Sequence, residues 1–70
     1  MRLNMDELNK ELTTKFKNNQ SAMAKELGIE RSHLNKVFKT NGKCAGSIVY
    51  GAIFKFCKDN GIPSERFIFL

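Results

Sequence analysis

His33 is the only histidine in the sequence, and the two cysteines, Cys44 and Cys57, lie thirteen residues apart with no CxxC element. No donor set stands at zinc spacing, so a metal site is not expected. Nor does a Ser, His and Asp set or a pair of carboxylates stand in a recognisable catalytic context, which argues against an enzyme, and no cofactor is implied. What the side chains offer instead is charge and hydrogen bonding concentrated in one region. Residues 15–43 hold Lys15, Lys17, Lys25, Arg31, Lys36, Lys39 and Lys43 against Glu26 and Glu30, a net of +5, the same as the net charge of the whole chain. Cations gathered in this way suit a polyanionic partner, although a charge run by itself reads as well as a solvated face. The elements that carry these residues decide between the two.

Met5, Leu8, Leu12 and Phe16 recur at helical spacing and predict a first helix over about 5–16. Asn4 is its expected N-cap, with Glu7 in capping-box register; Asp6 and Glu7 at the start and Lys15 and Lys17 near the end suit the helix dipole. Lys17, Asn18 and Asn19 form a turn, and Asn19 caps a short helix of about 20–27 that carries Met23, Ala24 and Leu27 inward and stops at Gly28. A left-handed backbone costs little at glycine, so the chain turns through Ile29 and restarts near Glu30. Leu34, Val37 and Phe38 then mark the apolar stripe of a third helix, 30–39, which leaves Arg31, Ser32, Asn35, Lys36 and Lys39 off that stripe. Residues 40–46 read as a loop, and Ser47 is a natural cap for a fourth helix over about 48–59 that closes at Asn60-Gly61. Pro63 breaks the helix; Ser64-Glu65-Arg66 either add one helical turn or lead into a strand, and Phe67-Ile68-Phe69-Leu70 is read as irregular or extended. The expected fold class is all-α, a compact bundle of four to five short helices.

With 70 residues, 41% of them hydrophobic and 27% charged, the chain has room for one folded domain over 1–70. Its densest apolar run, Ile48 to Cys57, is ten long and contains Lys55, short of the roughly 18 to 20 residues a membrane span requires. Acidic Asp6, Glu7 and Glu11 follow Met1 with no apolar run like that of a signal peptide, so a cytoplasmic location is expected, with two free thiols and Cys57 buried.

Two short helices at 20–27 and 30–39, joined by a turn at Gly28, have the helix-turn-helix arrangement, with small Ala24 available where the helices approach. The stretch Gln20-Ser21-Ala22-Met23-Ala24-Lys25-Glu26-Leu27-Gly28-Ile29-Glu30-Arg31-Ser32-His33-Leu34-Asn35-Lys36-Val37 resembles the DNA-binding unit of the Cro and phage-repressor (XRE-type) family. The matching positions are the leading glutamine, the alanine four residues on, the turn glycine and the aliphatics at 27, 29, 34 and 37. Asn41-Gly42-Lys43 is similar to the family's turn after the recognition helix, although it comes later and is followed by Cys44-Ala45-Gly46. The resemblance implies a lambda-repressor-like fold and a sequence-specific, double-stranded DNA-binding transcriptional regulator, a repressor of bacterial, phage or mobile-element origin. It also implies roles. Gln20, at a helix N-terminus, would bond a backbone phosphate and position the protein. Arg31, Ser32, Asn35 and Lys36 would face base edges in the major groove. Lys43 and Lys39 would neutralise phosphates, and His33 would either touch the edge of the interface or have no role.

The fourth helix is apolar nearly all round: Val49, Ala52, Ile53 and Phe56 can fill one face, while Tyr50 and Phe54 form another. That surplus, with Phe67, Phe69 and Leu70, predicts an exposed apolar patch that a two-fold partner would cover, and hence a homodimer. An alternative reading keeps the fold but docks it on a protein, as an antirepressor or small regulatory inhibitor would. The apolar C-terminal residues favour that alternative; the basic 15–43 segment and the polar outer face of the third helix favour DNA.

Overall fold

In the computed structural model, which describes residues 1–69, Asn4 opens α1 (Met5–Thr14) by accepting the Glu7 N–H on its side-chain oxygen at 3.3 Å. Met5, Leu8 and Leu12 line the buried side of α1. The helix stops two residues before the apolar periodicity does. Lys17 and Asn18 take left-handed backbone, φ 53° and 63°, and the Asn18 N–H closes onto the Leu12 carbonyl at 2.8 Å. Phe16 thus leaves the helix but stays half-buried, its ring 6.4 Å from that of Phe56.

Asn19 starts α2 (Gln20–Leu27) by accepting the Ala22 N–H at 3.1 Å. The helix ends in a Schellman turn: Gly28 sits at φ 75°, its N–H bonds the Lys25 carbonyl at 3.2 Å, and the Ile29 N–H bonds the Ala24 carbonyl at 3.0 Å. α3 (Arg31–Lys39) starts one residue later than its sequence pattern predicts, with Glu30 in the N-cap position. It ends in the same motif, with Asn41 at φ 53° where α2 uses glycine, and with the Gly42 N–H on the Val37 carbonyl at 2.8 Å. α4 (Ser47–Asn60) repeats the motif at Gly61, where the Ile62 N–H bonds the Cys57 carbonyl at 2.8 Å. Gly46, not Ser47, occupies the N-cap of α4, and no side chain caps it.

α2 packs on α3 and α4, burying Met23, Ala24 and Leu27 against Leu34 and Val37 of α3 and against Val49, Ile53, Phe56 and Cys57 of α4. The result is a small all-α bundle. It is tied by one element that the helical periodicity did not contain: β1 (Arg2–Leu3) pairs antiparallel with β2 (Ile68–Phe69), Leu3 opposite Ile68 and Arg2 opposite Phe69. Strand alternation sends Leu3 and Ile68 into the core and Arg2 and Phe69 outward.

A 3-10 turn at Ser64–Arg66 leads into β2 and corrects the expectation for Phe67. Phe67 is 1% exposed, its ring 6.4 Å from Phe56, and its carbonyl accepts the Asn4 N–H at 2.7 Å. It belongs to the core and cannot contribute to an apolar surface patch. Leu70, expected in the same patch, lies outside the described residues. Among the described residues no helix is long and apolar enough to cross a membrane.

Candidate nucleic-acid interface

Burying Leu34 and Val37 fixes the rotation of α3 about its axis and therefore what it shows to solvent. At 3.6 residues per turn, Arg31, Asn35, Lys39, Ser32 and Lys36 fall within one arc of about 140°. Arg31, Ser32, Lys36 and Lys39 are exposed, and Asn35 is half-buried. His33 falls about 60° beyond Lys36, on the flank nearer the core, and is half-buried. The structure therefore gathers five of the predicted α3 residues and sets His33 at their edge.

Asn35 reaches back to α2: its Nδ2 donates to the Oε1 of Gln20 at 3.1 Å. This bond joins the residue expected to position the protein to the middle of the α3 face. Helix geometry also leaves the first-turn N–H groups of Gln20 and Ser21 without intrahelical acceptors, since the Asn19 side chain takes only that of Ala22. Arg31, Ser32 and Asn35 line one surface concavity of about 430 Å³.

Among the described residues the only ion pairs are those of Arg66, with Glu7 at 3.0 Å and Glu11 at 3.1 Å. Arg31, Lys36, Lys39 and Lys43 thus present their charge without a neutralising carboxylate at contact distance. Lys15 differs from them. Its ammonium stands 4.8 Å from the Phe56 ring centroid and 5.8 Å from that of Phe16, and it donates to Asn60 Oδ1 at 3.3 Å, so it tethers the end of α1 to α4. Arg66 is likewise structural: the Glu7 hydrogen bond, above all, holds its guanidinium above the usual arginine range.

Lys43 is exposed but does not share the α3 concavity. It lines a separate cleft with Arg2, Asn4 and Asp6, at the junction of the loop after α3 with the start of the chain. Sequence reasoning gave Arg2 no role, and no local signal could have done so, because a two-residue strand has no periodicity to read. Of the residues expected at a dimer interface, Phe54 and Phe69 are 38% and 45% exposed. Tyr50 is half-buried and its hydroxyl donates to the Met1 carbonyl at 3.3 Å. Ile48 is also exposed, at 68%, although it was not singled out; at about 100° per residue it falls about 120° from Phe54 around α4.

Cys57 is buried, and desolvation, above all, pushes its thiol up, which leaves it a poor nucleophile; Cys44 is exposed. Among the described residues no three His, Cys, Asp or Glu side chains come together as a metal-binding group. Comparison of the chain with protein-family models, with curated proteins and with solved structures returned no match. The functional reading therefore rests on the geometry of α2 and α3.

Proposed function

We propose that this chain is a sequence-specific, double-stranded DNA-binding transcriptional regulator that reads the major groove with the outer face of α3. It acts in the cytoplasm as a repressor of the Cro and phage-repressor type. The observation that carries the reading is the single arc of Arg31, Ser32, Asn35, Lys36 and Lys39, locked to Gln20 through Asn35. A helix of about 10–12 Å diameter fits a groove about 12 Å wide, and these side chain types match what the groove presents. Arg31 and Lys36 suit guanine O6 and N7. Asn35, with one Nδ2 hydrogen given to Gln20, keeps the other hydrogen and its Oδ1 for adenine N7 and N6. Ser32 accepts or donates at either base, and Gln20 Nε2 reaches a phosphate beside the open end of α2.

A homodimer suits this reading. Phe54, Phe69 and the half-buried Tyr50 supply apolar surface for a two-fold partner, and the dimer would read half-sites about one helical turn apart. The same exposed residues favour a second reading, in which the fold docks on a protein; against it, the α3 face carries no exposed aromatic side chain to serve as an anchor.

Selection from random duplex DNA separates the two. An enriched motif is expected, with Arg31→Ala and Asn35→Ala each losing about 1–3 kcal/mol on the selected site and relaxing preference at one base position. Unchanged affinity and preference in both variants would mean that α3 is not the reading head. Sedimentation of the chain on the selected palindrome should show two copies per duplex, and a single copy would remove the dimer.

A further inference from the structure

Resting on the DNA-binding reading of α3, we propose that the cleft between the start of the chain and the loop after α3 seats one backbone phosphate of the same duplex, held by Arg2 and Lys43. The cleft measures about 480 Å³, and Arg2, Asn4, Asp6, Asn41, Lys43 and Phe69 are among the residues that line it. Its two walls are held together by close packing: Gly42, at φ 85°, lies so near Met5 that a Cβ there would stand 3.1 Å from the Met5 sulfur. The loop that follows the reading helix is thereby pressed onto the first turn of α1, and Lys43 shares a cavity with a residue from the other end of the fold.

Arg2 is fixed in place. Its register opposite Phe69 turns it outward, and its guanidinium sits 5.0 Å from the Phe69 ring centroid, an arrangement that orders the group while leaving its N–H donors at the ring's edge available. Neither Arg2 nor Lys43 has a carboxylate within ion-pair distance among the described residues. Asp6 lines the same cleft, but it stands in the first turn of α1, where the helix dipole offsets part of its charge. Asn4 gives its oxygen to the Glu7 N–H, which leaves its Nδ2 as a further donor. The loop's own N–H groups are taken, that of Gly42 by the Val37 carbonyl and that of Lys43 by Thr40, so an anion here is held by side chains. Two cations lining one cleft with an amide donor suit a phosphate and carry no base-edge pattern. Lys39 belongs to the α3 face and is the last residue of that helix, four residues before Lys43, so the loop that carries Lys43 leaves directly from the face on which the duplex would sit.

The test is the salt dependence of binding of the full chain to non-specific duplex, measured for the parent, Arg2→Gln, Lys43→Gln, the double variant and Lys55→Gln on α4. Each neutralised phosphate contributes about 0.9 to the slope of log K against log salt. Because both cations hold the same phosphate, Arg2→Gln and Lys43→Gln should each lower the slope by a part of that amount and the double variant by about one in total, with Lys55→Gln unchanged. A fall of about two in the double variant would mean two separate phosphates and overturn the shared seat. An unchanged slope for Arg2→Gln on a folded chain overturns the proposal, as does an equal loss for Lys55→Gln, which would mean a diffuse field. If Arg2→Gln fails to fold, Lys43→Gln, which leaves the strand pair intact, carries the test. Inorganic phosphate titrated at constant ionic strength should leave the amide resonances of residues 2–6 and 41–43 unmoved; saturable shifts would identify a free anion as the ligand and overturn the duplex assignment. A parent chain that binds no duplex would instead refute the DNA-binding reading itself.

Discussion

Asn35 on α3 and Gln20 at the start of α2 share a hydrogen bond of 3.1 Å, with the Asn35 amide as donor. On the proposed reading, the residue that would read a base is thus oriented by the one that would hold the backbone. Gln20→Ala should therefore weaken binding and also loosen preference at the base facing Asn35, whereas a pure backbone anchor would leave preference untouched. In a double-mutant cycle with Asn35→Ala the two losses should be non-additive by about 0.5–3 kcal/mol. Strict additivity on the selected site would mean that the bond does no positioning.

Arg66 bridges Glu7 and Glu11, and Glu11 is 5% exposed. Arg66→Ala leaves a buried carboxylate without its partner and should cost about 1–3 kcal/mol in urea unfolding; the partial exposure of Arg66 keeps the loss below that of a fully buried pair. Glu7→Ala, which leaves the Arg66 to Glu11 contact in place, should cost less, about 0–1 kcal/mol. Arg66→Lys should recover only part of the loss, since one ammonium lacks the planar fork that reaches both carboxylates. An Arg66→Ala chain as stable as the parent would show that the bridge adds nothing.

The two thiols should separate cleanly. A disulfide reagent at mildly alkaline pH should modify Cys44 in the folded chain and reach Cys57 only after unfolding, because burial raises the pKa of the Cys57 thiol and blocks access to it. For a thiol raised on folding, the folded state binds its proton more tightly. Its contribution to stability is then complete below the ordinary thiol value and is lost as the pH climbs through the raised one. Equal native reactivity of both thiols would contradict the buried position of Cys57.

Packing between α2 and α3 depends on two small residues for different reasons. Ala24 is 2% exposed, so Ala24→Leu must push neighbours aside and should cost about 1–3 kcal/mol in thermal or urea unfolding. Gly28 has open space where a Cβ would go, so the cost of Gly28→Ala comes from its φ of 75° alone, about 1–2 kcal/mol, and Gly28→Asn should be milder. If Gly28→Ala were neutral, the turn between the two helices would have to relax into another conformation.

The sequence by itself determined α2, the turn and α3. Their signals are local: Asn19 caps its own next turn, Gly28 ends the helix that precedes it, and Leu34 and Val37 stand at a spacing that forces Arg31, Ser32, Asn35, Lys36 and Lys39 outward. The burial of Cys57 also followed from residue type. The roles of the chain's two ends were decided only by the tertiary structure. In Phe67-Ile68-Phe69 no periodicity tells which aromatic turns inward; pairing with Arg2 and Leu3 does, burying Phe67 and Ile68 and leaving Phe69 outside under Arg2. Glu7 looked like the partner of a capping box, yet its carboxylate bonds Arg66, 59 residues away, while only its N–H serves the cap. The link from Asn35 to Gln20 and the cleft shared by Lys43 and Arg2 are of the same kind. Capping and helical burial act over three or four residues and leave a pattern in the chain, whereas contacts between distant segments exist only once the core has set where those segments meet.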